Sequence, residues 1–277
     1  MKMARGALFD KRRGRRFPTF QANFFILAML LPVLLLTGCP VPNGGEKSWI
    51  VMGTNASVKW NDNRDFPQYD APDVVREVFA RIEGLLNAHD PNSELSRLAS
   101  LPDAEILLRC TPEVRSCYET AFRLRDQTGG AYDPRWKGKG TMDLGSIAKG
   151  FAVDVAIEGW VCCTVSSYWR ILVDLGGNLK AAGTEGWRVG IKYGESFELT
   201  NGMACATSGE YFRGKHIYDG RTGTAVTNDL KSVTVIHPSS AMLADGLSTV
   251  MFILGRDKGE AFLKKHYPEA KAVWIRE

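Results

Sequence analysis

The feature that most constrains this chain is a pair of segments, about a hundred residues apart, that each open an apolar helical run with small residues and oxygen-bearing side chains. They are 142–154 (MDLGSIAKGFAVD) and 244–255 (ADGLSTVMFILG). In the second segment Asp245, Ser248 and Thr249 are spaced i, i+3 and i+4, so a helix presents all three on one face. We expect the two distant segments to converge in the fold.

The side chains of these segments predict a metal-assisted phosphate site. Hard oxygen ligands suit Mg²⁺, which favours octahedral oxygen coordination and often shares its shell with a phosphate. Asp143 and Ser146 come just before Lys149, a cation that is able to reach a phosphate. Purely structural roles for these residues are the alternative. Asp143 is also a good N-cap, and the helix dipole favours Asp245 at a helix start. The hydroxyls that follow Asp245 also suit helix packing.

The N-terminus predicts a secretion signal over residues 1–38. A basic stretch is followed by an apolar run of about fifteen residues and then by Leu36-Thr37-Gly38-Cys39. The run is short for a transmembrane anchor, which needs roughly 20 residues. The pattern resembles a bacterial lipoprotein signal, in which Cys39 is lipidated and becomes the first mature residue. Arg15-Arg16 leaves a twin-arginine export signal as the alternative.

Charge excludes nucleic acid as an obvious partner. Residues 1–38 hold seven of the 35 Lys and Arg residues and one of the 31 Asp and Glu residues, so the remainder, with 28 basic and 30 acidic residues, has a net charge of −2. Nothing in the mature part is basic enough to indicate nucleic-acid binding. Its length fits one large domain or two lobes. We expect a tether over 39–47 and a folded domain over 48–277.

Cysteine usage leaves two possibilities open. Besides Cys39 the chain has Cys110, Cys117, Cys162, Cys163 and Cys205. An odd number leaves at least one thiol free in an oxidising compartment. A Cys110–Cys117 bridge is possible, and the alternative is that the cysteines are small buried apolar residues.

Hydrophobic periodicity predicts an α+β fold. Helices are expected over 72–87, within 90–100, from Thr111 to Gln127, and over 149–160 and 244–254. Strands are expected on both sides of Gly53 within 49–60, and over 170–175, 187–193, 203–207, 232–237 and 272–275. Because the strands come in runs, the pattern favours α+β over a doubly wound sheet.

Eight ordered motifs resemble one known family, the ApbE family of FAD:protein FMN transferases. They are MGT (52–54), PNSELSRL (91–98), GGAYD (129–133), DLGSIAKGFAVD (143–154), VDLGGN (173–178), ATSG (206–209), HIYDGRTG (216–223) and ADGLSTV (244–250). The resemblance implies mixed and antiparallel sheets with flanking helices and an FAD cleft between two lobes. It also implies Mg²⁺-dependent transfer of FMN from FAD to a threonine or serine of an exported or membrane redox protein, with release of AMP.

The resemblance carries site roles to matching positions of this chain. The metal would be held by Ser146, Asp245, Ser248 and Thr249. The residues that contact FAD would be Met52, His89, Ala131, Tyr132, Asp133, Asp143, Lys149 and Tyr218. His216 would activate the acceptor hydroxyl, because histidine takes a proton near neutral pH; the alternative is a structural, hydrogen-bonding histidine. Together with the lipoprotein signal, this predicts an enzyme anchored at the periplasmic side of the bacterial cell envelope.

One departure from the family keeps other functions open. Most members have a long insert between the motifs that match GGAYD and DLGSIAKG, whereas here only 134–142 (PRWKGKGTM) joins them. A pocket open on one side is also consistent with an FAD-binding lipoprotein that performs no transfer. A third possibility is an FAD pyrophosphatase, in which water replaces the acceptor and the products are FMN and AMP.

Overall fold

An antiparallel sheet organises the computed structural model, which describes residues 44–62, 71–162, 169–210, 214 and 216–276. The strands are β1 (Gly44–Val51), β2 (Thr54–Asp62), β3 (Trp169–Leu175), β4 (Asn178–Gly183), β5 (Trp187–Gly190), β6 (Ser196–Leu199), β7 (Ala204–Gly209), β8 (Tyr218–Asp219), β9 (Thr224–Ala225), β10 (Leu230–His237) and β11 (Lys271–Arg276). Seven of them form one sheet in the order β1-β2-β3-β4-β7-β10-β11, and neighbouring strands in it are antiparallel. Strands β5–β6 and β8–β9 form two separate hairpins.

Helices cover the sheet and supply most of the core. They are α1 (Ala71–Leu86), α2 (Glu94–Leu98), α3 (Asp103–Arg109), α4 (Pro112–Gln127), α5 (Gly145–Cys162), α6 (Ala241–Leu254) and α7 (Arg256–His266). Helices α5 and α6 pack against each other; α5 lies on β3 and β4, and α6 lies on β7 and β10. The segments that contain the two strongest motifs are therefore neighbours at the centre of the fold.

Local sequence explains where several helices begin and end. The Ser93 side chain accepts a hydrogen bond from Ser96 N (3.1 Å) and caps α2. Thr111 caps α4, whose first residue is Pro112, a position where proline is favoured. Gly129 and Gly130 end that helix with φ of 61° and 83°, values that glycine adopts without strain. These caps confirm the helices predicted within 90–100 and from Thr111 to Gln127.

Other boundaries differ from the prediction. Helix α5 begins at Gly145 rather than 149, and α6 at Ala241 rather than 244. Strand β1 begins at Gly44, so residues 44–47 are not part of the predicted tether and instead pair with β2 in an extended hairpin. Helices α3 and α7 and strand β4 were not predicted, since a seven-residue helix, a helix of mostly charged residues and a strand that begins just after a glycine turn have weak periodicity.

The described residues all belong to one compact unit. Cys39 and the predicted signal lie outside the described residues. Cys110, Cys117 and Cys205 are free thiols, and burial raises the pKa of Cys205 to about 12. The possible Cys110–Cys117 bridge is therefore absent from this structure. None of the helices formed by the described residues is long and apolar enough to cross a bilayer.

A glycine permits the close approach of α5 and α6. A Cβ atom at Gly150 would lie 2.2 Å from the carbonyl oxygen of Ala241 and 2.8 Å from the Cβ of Asp245. Backbone oxygen cannot move away as a flexible side chain can, so any larger residue would separate the helices. Position 150 requires glycine for this reason.

We expect Gly150→Ala to lower the free energy of unfolding by about 1–3 kcal/mol through overpacking. Gly159→Ala in the same helix is the matched control, because its Cβ would find only Val74 Cγ1 at 3.8 Å, an ordinary contact. The control is expected to be neutral or to stabilise by up to about 1 kcal/mol through helix propensity. Urea unfolding of both variants makes the comparison, and equal effects would contradict the close-approach explanation.

Candidate active site

A buried carboxylate joins the two key segments. Asp245 on α6 is 5% exposed, and its Oδ2 accepts a hydrogen bond of 3.0 Å from the backbone N–H of Gly150 on α5. The Lys149 ammonium lies 4.0 Å from the same oxygen and donates to Gly145 O at 2.8 Å. The predicted convergence of the two segments is thus confirmed, and it places a cation, a carboxylate and a helix start together.

Burial controls the charge of this carboxylate. It raises the pKa of Asp245 from 3.8 to about 6, even though Lys149 and the Gly150 N–H act in the opposite direction. Loss of hydration disfavours the ionised form more than these two partners favour it. The site therefore contains a carboxylate that a further cation would stabilise.

Two hydroxyl groups of α6 lie beside the backbone carbonyl of Asp245. Ser248 Oγ donates to the Asp245 carbonyl at 2.9 Å and shares a hydrogen bond of 2.8 Å with Ser208 Oγ. Thr249 Oγ1 lies 3.1 Å from the same Ser208 oxygen. The i, i+3, i+4 arrangement on α6 is therefore confirmed. Ser208 on β7 was not singled out in the sequence, although it belongs to the ATSG motif.

Ser146 at the start of α5 is linked to the GGAYD motif. Its Oγ shares a hydrogen bond of 2.8 Å with the phenol of Tyr132. Tyr132 is 3% exposed, and burial raises its pKa, so the phenol stays protonated at neutral pH. The pair fixes the Ser146 side chain in the same helix turn that leads to Lys149.

Asp154, which was not predicted as a site residue, holds the start of α6. Asp154 on α5 accepts hydrogen bonds from the backbone N–H groups of Ala241 and Met242 (both 2.9 Å) and from Ser240 Oγ (3.0 Å). Lys180 on β4 donates to the same carboxylate at 2.6 Å. This anionic cap satisfies the orphan N–H groups and complements the helix dipole, so Asp154 sets the position of the helix that bears Asp245.

The β8–β9 hairpin packs on the GGAYD turn. Gly220 N donates to Ala131 O at 2.9 Å, and a Cβ at Gly220 would lie 2.5 Å from the Cβ of Asp133. Asp133 Oδ1 accepts from Arg135 N at 2.8 Å. His216, just before this hairpin, is exposed, and its Nδ1 lies 2.7 Å from Gly214 O. The hairpin thus brings the HIYDGRTG motif into contact with the GGAYD motif.

The short loop 134–142 contacts two predicted FAD-binding residues. Asp143 Oδ1 accepts from Gly145 N at 3.0 Å, while Oδ2 lies 3.2 Å from the Lys137 ammonium. The Tyr218 ring stacks on Trp136 with centroids 4.0 Å apart and an interplanar angle of 11°. Trp136 and Lys137 were not predicted as site residues.

Met52 and His89 lie near the C-terminal end of α1. Met52, in the β1–β2 turn with a φ of 51°, donates its N–H to Glu83 Oε1 at 3.1 Å. His89 is exposed, and its N–H donates to Asn87 Oδ1 at 2.9 Å. Their contacts are thus with α1 and the turn that follows it, and their role in FAD binding stays a prediction.

A cleft of about 670 Å³ lies on the α4 side of the short loop. It is lined by Arg125, Asp126, Gly129, Gly130, Asp133, Arg135, Gly138 and Lys139. The lining comes from α4, the GGAYD turn and the short loop, and none of it comes from α6. The cleft is therefore next to the predicted FAD contacts and separate from the Asp245 carboxylate.

The donor set at Asp245 fits a hard divalent cation. Within the described ranges, no cluster of three or more His, Cys, Asp or Glu side chains has a geometry that could hold a metal. An ion here would depend on one carboxylate with hydroxyl and carbonyl oxygens. Mg²⁺ is commonly bound in this way, since it keeps several waters and uses one or two carboxylates with substrate phosphates.

These motifs belong to one family. The ApbE family model matches residues 52–139 and 135–274. The chain belongs to the ApbE family. A curated FAD:protein FMN transferase from Haemophilus influenzae is 36% identical over 145 residues, which are 45% of this chain and 41% of that protein. A protein of the same name from Treponema pallidum is 33% identical over 161 residues, or 48% of this chain and 43% of that protein. The alignments thus span about two fifths of the length of these relatives.

Solved ApbE structures have the same fold. Apo Pseudomonas stutzeri flavinyl transferase ApbE superposes with a TM-score of 0.69 at 24% identity, covering 84% of this chain and 91% of that one. The ApbE protein from Thermotoga maritima gives a TM-score of 0.70 at 22% identity, covering 84% and 94%. The predicted ApbE-like α+β class is therefore confirmed.

The raised pKa of Asp245 predicts how pH affects stability. Because the folded-state pKa (about 6) exceeds the ordinary 3.8, the protonated side chain favours folding below pH 4, and this contribution is lost as pH rises through 6. Asp245→Asn, which keeps an acceptor for Gly150 N–H, should therefore raise the free energy of unfolding of the metal-free protein at pH 7.5 by roughly 1–3 kcal/mol. Urea unfolding at pH 7.5 and pH 4 tests this; the gain should vanish at pH 4, and a loss of stability at pH 7.5 would contradict it.

The Asp154–Lys180 pair predicts strong coupling. Asp154→Ala leaves the Lys180 ammonium buried without its carboxylate, and we expect a loss of about 3–5 kcal/mol. The double variant Asp154→Leu with Lys180→Met should be less destabilised than Asp154→Ala alone, because no buried charge is left unpaired. A double-mutant cycle in urea, built from Asp154→Leu, Lys180→Met and their double variant, measures the coupling, and simple additivity of these two single changes would refute it.

Proposed function

We propose that this protein is a metal-dependent flavin transferase, which moves FMN from FAD to a threonine or serine hydroxyl of an exported acceptor protein and releases AMP. The observation that supports it most is the continuous set of contacts around Asp245. That set links Lys149 and Gly150 of α5 to α6, and Ser208 of β7 to the hydroxyls of α6. The name FAD:protein FMN transferase of the curated relatives supports the same activity.

Side chains of α5 and α6 are suited to hold the metal and the diphosphate. Asp245, Thr249 and Ser146 would bind Mg²⁺, with Ser248 beside them. When bound, Mg²⁺ would neutralise the diphosphate charge. Lys149 would bind a phosphate oxygen, since its ammonium lies 4.0 Å from Asp245 Oδ2 and its side chain is 21% exposed.

FAD would be oriented by residues of several motifs. Asp143 would accept hydrogen bonds from the flavin or its ribityl chain. The other contacts, assigned from the family motifs, would come from Met52, His89, Ala131, Tyr132, Asp133 and Tyr218. Packing of the β8–β9 hairpin on the GGAYD turn supports one wall, because Gly220 bonds Ala131 and abuts Asp133.

The transfer exchanges the phosphoanhydride bond of FAD for a phosphoester bond to the acceptor. The acceptor oxygen bonds to the phosphorus on the riboflavin side, and the bond from that phosphorus to the bridging oxygen breaks. AMP leaves with the bridging oxygen and its electron pair. The hydroxyl proton would pass to His216. Its Nδ1 lies 2.7 Å from the Gly214 carbonyl, which only accepts, so Nδ1 bears a hydrogen and Nε2 is the nitrogen that would accept the proton in the neutral ring.

The location follows from the N-terminal sequence. We propose that residues 1–38 are removed as a lipoprotein signal, that Cys39 is lipidated, and that the enzyme faces the periplasm. Enzyme and exported acceptor would then meet outside the cytoplasm. The flavin acceptor would be an exported or membrane redox protein with a short Ser- or Thr-containing target sequence.

An assay with FAD, Mg²⁺ and such an acceptor domain tests the proposal. In-gel fluorescence of the acceptor together with AMP supports transfer. AMP with free FMN and an unlabelled acceptor would instead show an FAD pyrophosphatase. Bound FAD without either product would show a flavin-binding protein, and both of these outcomes would overturn the transferase assignment.

Two variants separate metal binding from proton transfer. Asp245→Ala should abolish labelling and AMP release and remove the effect of Mg²⁺ on FAD retention. His216→Gln should keep FAD binding and lower the labelling rate by roughly 10²–10⁴-fold. The control is Asp174→Asn, which changes a half-buried carboxylate on β3 that accepts from Gly177 N (2.8 Å); it should retain labelling. Wild-type activity in Asp245→Ala would contradict the assignment of Asp245 as a metal ligand.

A further inference from the structure

The short loop 134–142 is a compact double turn on the surface of the site. Asp143 N donates to Pro134 O at 2.8 Å and closes the loop, while Gly138 N donates to Arg135 O at 2.8 Å inside it. Gly138 and Gly140 have φ of 109° and 81°, and residues 137–140 are exposed. The ends of the loop are therefore fixed by hydrogen bonds, and its tip is exposed. No other atom would lie within 4 Å of a Cβ at either glycine.

Two consecutive residues of this loop contact two groups that the proposed function gives to FAD. Trp136 covers one face of the Tyr218 ring, with centroids 4.0 Å apart. Lys137 Nζ lies 5.0 Å from the centroid of the Trp136 ring and 3.2 Å from Asp143 Oδ2. A continuous series of contacts thus runs from the HIYDGRTG motif to the DLGSIAKG motif. It passes through two aromatic rings, one ammonium group and one carboxylate.

This series is incompatible with a flat ligand on the same face of Tyr218. Two parallel rings 4.0 Å apart leave no room for a third between them, so an isoalloxazine or adenine ring could stack there only after the indole has moved. The Lys137–Asp143 pair has side chains 40% and 29% exposed, and such pairs are weak because water screens them. Both contacts can therefore be exchanged for contacts with a ligand.

We propose that Trp136 and Lys137 act as a latch, which occupies Tyr218 and Asp143 in the free protein and is released when a flat ring of FAD binds. The inference rests on the proposed function, because it takes Tyr218 and Asp143 as FAD contacts. Binding then includes the free energy of opening the latch, so the latch weakens FAD binding. It also keeps the Tyr218 face covered until a ligand with both a ring and a hydrogen-bonding group competes for it.

Removing the indole should therefore strengthen FAD binding. We expect Trp136→Ala to lower the FAD dissociation constant by about three- to tenfold, the range that a ring-stacking contact supplies. Trp136→Phe, which keeps a stacking ring, should stay close to wild type. Lys137→Met, which removes only an exposed ammonium, should lower the constant by about twofold.

Tyr193→Ala is the matched control for these variants. Tyr193 is an exposed aromatic residue in the turn between β5 and β6, and Lys192 Nζ lies 5.1 Å from its ring. This lysine–aromatic pair resembles Lys137 and Trp136 but lies outside the candidate site. Its FAD affinity should equal that of wild type. Affinities would be measured by quenching of FAD fluorescence in the presence of Mg²⁺, with thermal unfolding to verify that each variant is folded.

The outcomes separate the latch from the proposed function. If Trp136→Ala and Lys137→Met bind FAD as wild type does or more weakly, the latch is wrong and the proposed function is unaffected. If Trp136→Ala does not fold, Lys137→Met alone decides by the same criterion. If neither wild type nor any variant binds FAD, both the latch and the proposed function fail.

Discussion

The candidate site depends on the hydrogen bond from Gly150 N–H to the Asp245 carboxylate, which joins residues 95 positions apart. It forms only because α5 and α6 lie very close together. A Cβ atom at position 150 would be only 2.2 Å from the backbone oxygen of Ala241. The same approach puts Lys149 beside Asp245 and places Ser146 one turn away on α5. A chemical site made from two distant segments thus rests on a packing constraint at one glycine.

The surrounding structure holds an electrostatically unfavourable group in place. Burial raises the pKa of Asp245 to about 6, so its ionised form is less stable here than in water. The position of α6 is nevertheless fixed by Asp154, which caps that helix and is itself neutralised by Lys180. Stabilisation by the cap and the core offsets the unfavourable carboxylate, an arrangement in which a bound cation would add stability that the free protein lacks.

Sequence predicted the parts of the site that depend on local geometry. The spacing of Asp245, Ser248 and Thr249 sufficed to place them on one helical face, because helix periodicity is independent of the rest of the fold. The roles of Asp154 and Ser208 were not predictable, since their partners lie 86–88 and 40–41 residues away along the chain. The stacking of Trp136 on Tyr218 was missed for the same reason. Helices α3 and α7 were missed because α3, with seven residues, is too short to show a helical repeat and α7 consists mostly of charged residues.

A crystal structure of the protein with FAD and Mn²⁺, in which Mn²⁺ replaces Mg²⁺, tests the central claim most directly. The anomalous signal of Mn²⁺ locates the ion independently of the surrounding density. The account predicts a peak within about 2–2.5 Å of an Asp245 carboxylate oxygen, with the FAD diphosphate in its shell and Thr249 and Ser146 beside it. FAD bound with no Mn²⁺ at Asp245, or with the ion bound elsewhere, would contradict it.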